Sequence, residues 1–183
     1  MRSGDRYAPA LFLENSQNII CKYVTVHHAS GMGFITQKCE NITLYHCAVL
    51  PSGDRVFSTC ADATHFASCR GLINIEGCKF ESQLDDPINI HGIYVRVKEN
   101  LGHGTLILEL AHTAQAGVTV LEAGERIRFV RQKTLLPISE SIAQKVTVVN
   151  EKYMLVTFDQ IPADLALGDC VENLAWIPDV IIR

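Results

Sequence analysis

Three aspartates carry the chemistry that this sequence offers. Asp85 and Asp86 are adjacent in Ser82-Gln83-Leu84-Asp85-Asp86-Pro87-Ile88-Asn89-Ile90-His91-Gly92, a stretch that otherwise reads as strand. Two carboxylates side by side in a partly buried element are costly unless chemistry or a ligand uses them. Asp62 lies 23 residues upstream of Asp85, in Ala61-Asp62-Ala63-Thr64-His65-Phe66. One acid that protonates a leaving oxygen, with a carboxylate that activates water or attacks carbon, is the requirement for cleaving a glycosidic bond. His65, Gln83, Asn89 and His91 stand nearby, and such side chains pair with sugar hydroxyls.

The doublet has a plainer reading. Asp pairs before Pro are common turn residues, and Asp62 alone would serve equally as a loop cap. Consecutive strand residues face opposite ways, so both acids share a cleft only if the chain bends at Asp85-Asp86-Pro87. Like charges would then raise one of the two pKa values. A calcium-dependent lyase using Glu81, Asp85 and Asp86 as oxygen ligands competes with hydrolysis. It would want a basic residue, for which Arg55 and Arg70 are near. His27, His28 and His46 read as coil-edge residues, and His103 and His112 have no partner cluster. No short ligand pair supports a metal site, and none is expected.

These acids need a scaffold that repeats. Asn18–Val26, Asn41–Val49 and Leu72–Phe80 superpose with the columns Ile19/Ile42/Ile73, Cys21/Leu44/Ile75, Val24/Cys47/Cys78 and Val26/Val49/Phe80. Each column is apolar between mostly polar positions, so each segment predicts a strand with one face inward. The steps are 23 and 31 residues. Strands recurring at that spacing with short polar connections predict a parallel β-solenoid, a β-sandwich being the alternative. On neighbouring rungs ~4.8 Å apart, Asp62 and the doublet would reach the ~6.5–9.5 Å carboxyl separation of an inverting hydrolase. The longer second step places a bulge at Leu50–Phe57, beside the acids.

From about Ile93 the repeat disappears. Thr105–Leu110, Val118–Leu121, Arg126–Val130, Lys145–Val149 and Met154–Phe158 read as strands between turn signals, with a hairpin over Val146–Phe158. They predict a small antiparallel barrel or sandwich. The tail Val180-Ile181-Ile182-Arg183 resembles the start of another solenoid strand. The organisation expected is thus all-β: coils with the acids over 1–92, a barrel-like module over 93–176, and a further solenoid strand begun at 177–183.

Bulk properties exclude several classes. The 183 residues are 48% hydrophobic and 20% charged, with net charge −4. Without a basic run or a stacking-aromatic motif, no nucleic-acid partner is expected. The apolar runs are too short for a membrane-spanning helix. Met1-Arg2-Ser3-Gly4-Asp5 shows no signal peptide. Seven cysteines, an odd number without a C-x-x-C pair, read as small buried residues rather than a disulfide framework.

Asp54-Arg55-Val56-Phe57-Ser58, Ala61–Phe66, Cys69-Arg70-Gly71 and Phe80–Gly92 together resemble glycoside hydrolase family 110, bacterial exo-acting α-1,3-galactosidases. The resemblance implies a right-handed parallel β-helix carrying β-barrel modules, and inverting hydrolysis without metal or other cofactor. By position, Asp62 resembles the general acid, and Asp85 and Asp86 the acids that hold and activate water. Arg55, His65, Gln83, Asn89 and His91 are the expected sugar shell, facing a glycan with terminal α-galactose. Family members are several hundred residues long and secreted. The resemblance therefore implies a central fragment, a signal sequence upstream, a periplasmic or extracellular location, weak or absent activity alone, and self-association through exposed coil ends. A polygalacturonase-type hydrolase and a non-catalytic carbohydrate-binding solenoid are the competing expectations.

Overall fold

The computed structural model describes residues 8–112 and 115–183, so the polar lead Met1–Asp5 lies outside the described residues. The chain divides into two compact units, one of residues 1–91 with 176–183 and one of residues 92–175.

In the first unit every turn of the chain contributes one strand to each of three parallel sheets. The first turn is β1 (Leu11–Glu14), β2 (Gln17–Lys22) and β3 (Thr25–Val26). The second is β4 (Phe34–Gln37), β5 (Glu40–Tyr45) and β6 (Ala48–Val49), and the third is β7 (Thr64–Ala67), β8 (Arg70–Glu76) and β9 (Lys79–Phe80). β10 (Ile88–His91) opens a fourth turn. The sheets run β1-β4-β7-β10, β2-β5-β8-β17 and β3-β6-β9, where β17 (Pro178–Ile182) pairs in parallel with β8. Ile42 therefore lies opposite Ile19 and Ile73, and Leu44 opposite Cys21 and Ile75, as the sequence columns predict.

The nine-residue segments, however, are not single strands. Each breaks at a residue of positive φ, namely Tyr23, His46 or Gly77. The columns hint at this, because the step from Cys21 to Val24 is three residues rather than two. A second corner turns at Asn15, Lys38 and Ser68, also with positive φ. Left-handed backbone costs a non-glycine residue roughly 1–2 kcal/mol, so stacked contacts must hold these corners. Gly71 is required for a different reason. Its φ is +67°, and the Asn41 carboxamide fills the place of a Cβ while accepting a hydrogen bond from Leu72 N at 3.1 Å.

The interior is a column of Phe34, Cys39, Ile42, Leu44, Cys47, Val49, Phe66, Cys69, Ile73 and Ile75. All seven cysteines are free. Cys39, Cys47, Cys69 and Cys78 each direct the thiol at a carbonyl of the preceding turn: Leu13, Cys21, Thr36 and Leu44 respectively, at 3.4–3.5 Å. Burial pushes the Cys21, Cys39, Cys69 and Cys78 thiols above their ordinary pKa. The side chains act as small apolar fillers with a weak donor.

The second unit is a closed barrel of six antiparallel strands. β11 (Val95–Gly102), β12 (Thr105–Leu110), β13 (Arg126–Val130), β14 (Pro137–Val148), β15 (Tyr153–Phe158) and β16 (Cys170–Asn173) close in the order β11-β12-β15-β14-β13-β16. The Val146–Phe158 hairpin forms as β14 and β15. Val118–Leu121 is not a strand, although Val118, Val120 and Leu121 are buried in the barrel core. Among the described residues no helix is long and apolar enough to cross a membrane.

Candidate active site

Asp62 is set by the backbone before its side chain does anything. Its carbonyl accepts Gly33 N at 2.9 Å, and the next N–H, from Ala63, donates to Asp86 O at 2.9 Å. The segment is thus sandwiched between the turns before and after it. Only glycine fits at 33, because a Cβ there would run into the Ala63 carbonyl. Buried hydroxyls brace the layer. Ser58 Oγ donates to Glu81 O at 2.8 Å, Thr59 Oγ1 to Ala61 O at 2.8 Å, and Thr64 Oγ1 to Pro87 O at 3.0 Å. Ser58, the two threonines and Gly33 escape sequence reasoning, since small polar residues beside a turn look like any loop.

Asp85, Asp86 and Pro87 stand just before β10, at the bend that a shared cleft requires. β10 pairs with β7 so that Asn89 is opposite His65 and Ile88 opposite Thr64, a step of 24 residues. The lateral neighbour of Asp62 is consequently Asp86, and Asp85 sits one residue earlier. The bend before the strand removes the alternation that would have turned the two acids to opposite faces.

Asp62, Asp85 and Asp86 converge, with one carboxylate oxygen of each within 4.8 Å of the others. Asp62 is buried, while Asp85 and Asp86 are exposed. These are contacts between single oxygens, and they are compatible both with the ~6.5–9.5 Å carboxyl separation of inverting glycosidases and with the ~5–5.5 Å of double-displacement ones. Three acids at this spacing would also accept a cation; two of them are exposed acids of a kind common without one.

Around Asp62 the structure places three of the expected sugar-shell residues. His65 Nδ1 is 2.6 Å from Asp62 Oδ2, and Asn89 Nδ2 donates to the same oxygen at 3.2 Å. His91 Nε2 is 2.9 Å from His65 Nε2, the rings meeting edge to face at 4.8 Å. All three project from the outer face of the β1-β4-β7-β10 sheet, opposite the core residues Phe66 and Ile90. Gln83 is only partly accessible, and its Oε1 is buried without a hydrogen-bond partner. Arg55 lies on the exposed bulge, its N–H on Ser52 O at 3.3 Å, and among the described residues no hydrogen bond or ion pair ties it to the acids. A cavity of about 500 Å³ in the barrel unit is lined by Tyr94, Arg96, His112, Gln132 and others, and holds none of the three acids.

The family described as GLAA-B beta-barrel domain II matches residues 105–171, most of the barrel unit. A protein named Alpha-1,3-galactosidase B from Phocaeicola vulgatus is 38% identical over 98% of this chain and 32% of its own length. Proteins named Alpha-1,3-galactosidase A are 34% identical in Bacteroides fragilis, over 94% of this chain and 29% of that protein, and 33% identical in Shewanella woodyi, over 93% and 28%. The chain spans about a third of the length of the curated relatives it matches. With both its turns and its barrel covered by these matches, the chain is a relative of the α-1,3-galactosidases A and B, in agreement with the motif resemblance to glycoside hydrolase family 110.

Proposed function

We propose that this chain carries the acid/base centre of an exo-α-1,3-galactosidase that hydrolyses a terminal α-1,3-linked galactose with inversion. The observation that carries the proposal is the convergence of buried Asp62 with exposed Asp85 and Asp86 within 4.8 Å. Asp62, shielded from water, is the general acid: its proton goes to the glycosidic oxygen as the C1–O bond breaks. Asp85 and Asp86 hold a water against C1, and one of them takes its proton as the new C1–O bond forms. The acid ends one proton short and the base one proton over, and exchange with solvent resets both. No metal takes part in this reading.

A glycan with terminal α-galactose is the partner, and such substrates place the protein in the periplasm or outside the cell. Gln83, two residues before Asp85, and Arg55, on the bulge, remain the candidates for hydroxyl recognition. The relatives are about three times as long, so the sugar pocket draws on segments beyond these residues and the isolated chain turns over slowly. The test is hydrolysis of an α-1,3-galactobioside followed by proton NMR. β-Galactose as the first-formed anomer, and loss of product in Asp62→Asn, are expected. Failure of Asp62→Asn to lower the rate overturns the acid assignment.

Oxygens this close also permit a second reading, in which Asp85 or Asp86 attacks C1 and forms a covalent glycosyl-enzyme. α-Galactose appearing first would select it. Release of sugar from polygalacturonate, or saturable glycan binding without product, would replace both with the polygalacturonase-type or the binding-module reading.

A further inference from the structure

Chemistry makes His65 and His91 candidates for the sugar shell, yet their geometry fits another task. Both ring nitrogens of His65 face protein groups: Nδ1 meets Asp62 Oδ2 at 2.6 Å and Nε2 meets His91 Nε2 at 2.9 Å. A sugar hydroxyl could bond His65 only by breaking one of these. Accessibility falls along the chain of contacts, from exposed His91 through His65, whose side chain is 17% accessible, to Asp62 at 3%.

We propose that His91 is a positioning residue that locks the tautomer of His65 and thereby fixes which oxygen of Asp62 carries the catalytic proton. The inference rests on Asp62 being the general acid. A nitrogen–nitrogen hydrogen bond needs one N–H and one lone pair, so the two imidazoles cannot choose tautomers independently. Asn89 Nδ2 already donates to Asp62 Oδ2. An oxygen accepting that bond is a better acceptor without a proton of its own, so His65 donates from Nδ1 as well. Neutral His65 then offers a lone pair at Nε2, and His91 fills it with its Nε2–H. With two donors on Oδ2, the acid proton of Asp62 is confined to Oδ1, the oxygen left to face a leaving group.

Sheet register holds this arrangement in place. His65 is flanked in register by Ile35 on β4 and Asn89 on β10, and His91 pairs with Ala67 on β7. Among the described residues, the carboxylates grouped with Asp62 are Asp85 and Asp86. Neither neighbour of His65 along the sheet is ionisable, so the groups at its two nitrogens, Asp62 at Nδ1 and His91 at Nε2, set its tautomer between them.

The experiment uses the full chain, with His91→Phe removing the donor and His91→Gln restoring one. Nitrogen-15 spectra of the imidazoles at neutral pH are expected to show His65 as the Nδ1–H tautomer in wild type and His91→Gln, and as a mixture in His91→Phe. On the galactobioside, His91→Phe should lower kcat by about 10–100-fold with KM little changed, and His91→Gln should recover most of the loss. On an aryl galactoside whose leaving group needs no proton, the same variant should lose less than about 3-fold. An Nε2–H tautomer in wild type, or a His65 signal indifferent to His91→Phe, overturns the inference. So does a rise in KM with kcat preserved, which would make His91 a sugar ligand. If wild type releases no product, the functional reading fails while the tautomer measurement still decides this one.

Discussion

Thr64 and Pro87 are tied twice: Thr64 Oγ1 donates to Pro87 O at 3.0 Å, and Thr64 N donates to the same carbonyl at 3.2 Å. Thr64 is fully buried, two residues after Asp62, and Pro87 follows the doublet directly. The hydroxyl thus reinforces the backbone bonds, Thr64 N to Pro87 O and Ala63 N to Asp86 O, that set the spacing between the buried acid and the exposed pair. Thr64→Val keeps the volume and the backbone bond but removes the hydroxyl. We expect a loss of roughly 0.5–1.5 kcal/mol in urea denaturation, together with a fall in galactoside turnover under conditions where the protein stays folded. Turnover unchanged at an unchanged urea midpoint would show that the doublet is held by other contacts.

Gly33 makes a sharper prediction. A methyl at this position meets the Ala63 carbonyl, a backbone atom that cannot step aside, and approaches Val49 Cγ2 at 3.0 Å. Gly33→Ala must push the Asp62 segment away from β4, and overpacking of this kind costs about 1–3 kcal/mol. Loss of product release is expected to exceed the loss of folded protein, because Asp62 O bonds Gly33 N directly. Thermal denaturation alongside initial rates would separate the two effects. A stable, fully active Gly33→Ala would mean that the turns can slide without moving the acid.

The contrast between these sheets explains what the sequence could reveal. β2, β5 and β8 are legible because Ile19, Ile42 and Ile73 repeat one apolar type in tandem. The neighbouring sheet is not, since its inward column of Leu11, Phe34, Thr64 and Ile88 mixes types and its strands are four residues long. The acids, His65, Asn89 and His91 are legible through their chemistry, and the structure brings those six together. The register that makes Asp86 rather than Asp85 the lateral neighbour of Asp62 depends on one extra residue in a loop. In the barrel, β16 hides because its buried Asn173 reads as polar; its Nδ2 donates to Val120 O at 2.7 Å and to Glu125 Oε2 at 2.7 Å. Val118–Leu121 misleads in the opposite sense, being apolar and buried yet irregular.

Trp176, the single tryptophan, packs over a buried cation. Lys38 Nζ lies 3.6 Å from the indole centroid and Arg70 Cζ 4.5 Å from it, while Arg70 pairs with Glu40 at 2.8 Å. Lys38 is only 4% accessible, so its ammonium has given up most of its water for the ring face. Trp176→Leu keeps an apolar cover but removes the π face, and Lys38→Met removes the charge and keeps the stem. The pair is expected to couple by about 1–2 kcal/mol in a double-mutant cycle. Lys38→Met should also alter the Trp176 fluorescence of the folded chain. Additive effects of the two substitutions would reduce this contact to ordinary packing.

The barrel offers a prediction in pH. Glu109 accepts Lys152 Nζ at 2.9 Å and Tyr153 Oη at 3.4 Å, with Lys98 Nζ at 3.9 Å. The hydrogen bond from Lys152 holds the Glu109 carboxyl below its ordinary pKa, against the opposing effect of burial, and the charge of Lys98 adds to it. The same bond raises the Lys152 ammonium above its ordinary value. A lowered carboxyl contributes stability that is complete above its unfolded pKa, about 4.3, and lost as pH falls through the folded value. The raised ammonium contributes fully below about 10.4 and is lost only as pH rises beyond that. Between these limits the pair is at full strength. Lys152→Met should therefore be less stable than wild type at pH 7, and the difference should shrink as pH drops below about 4. Urea midpoints of both proteins at pH 7, 4 and 3 provide the measurement. A gap that stays constant down to pH 3 would mean that the Glu109 carboxyl does not depend on Lys152 for its charge.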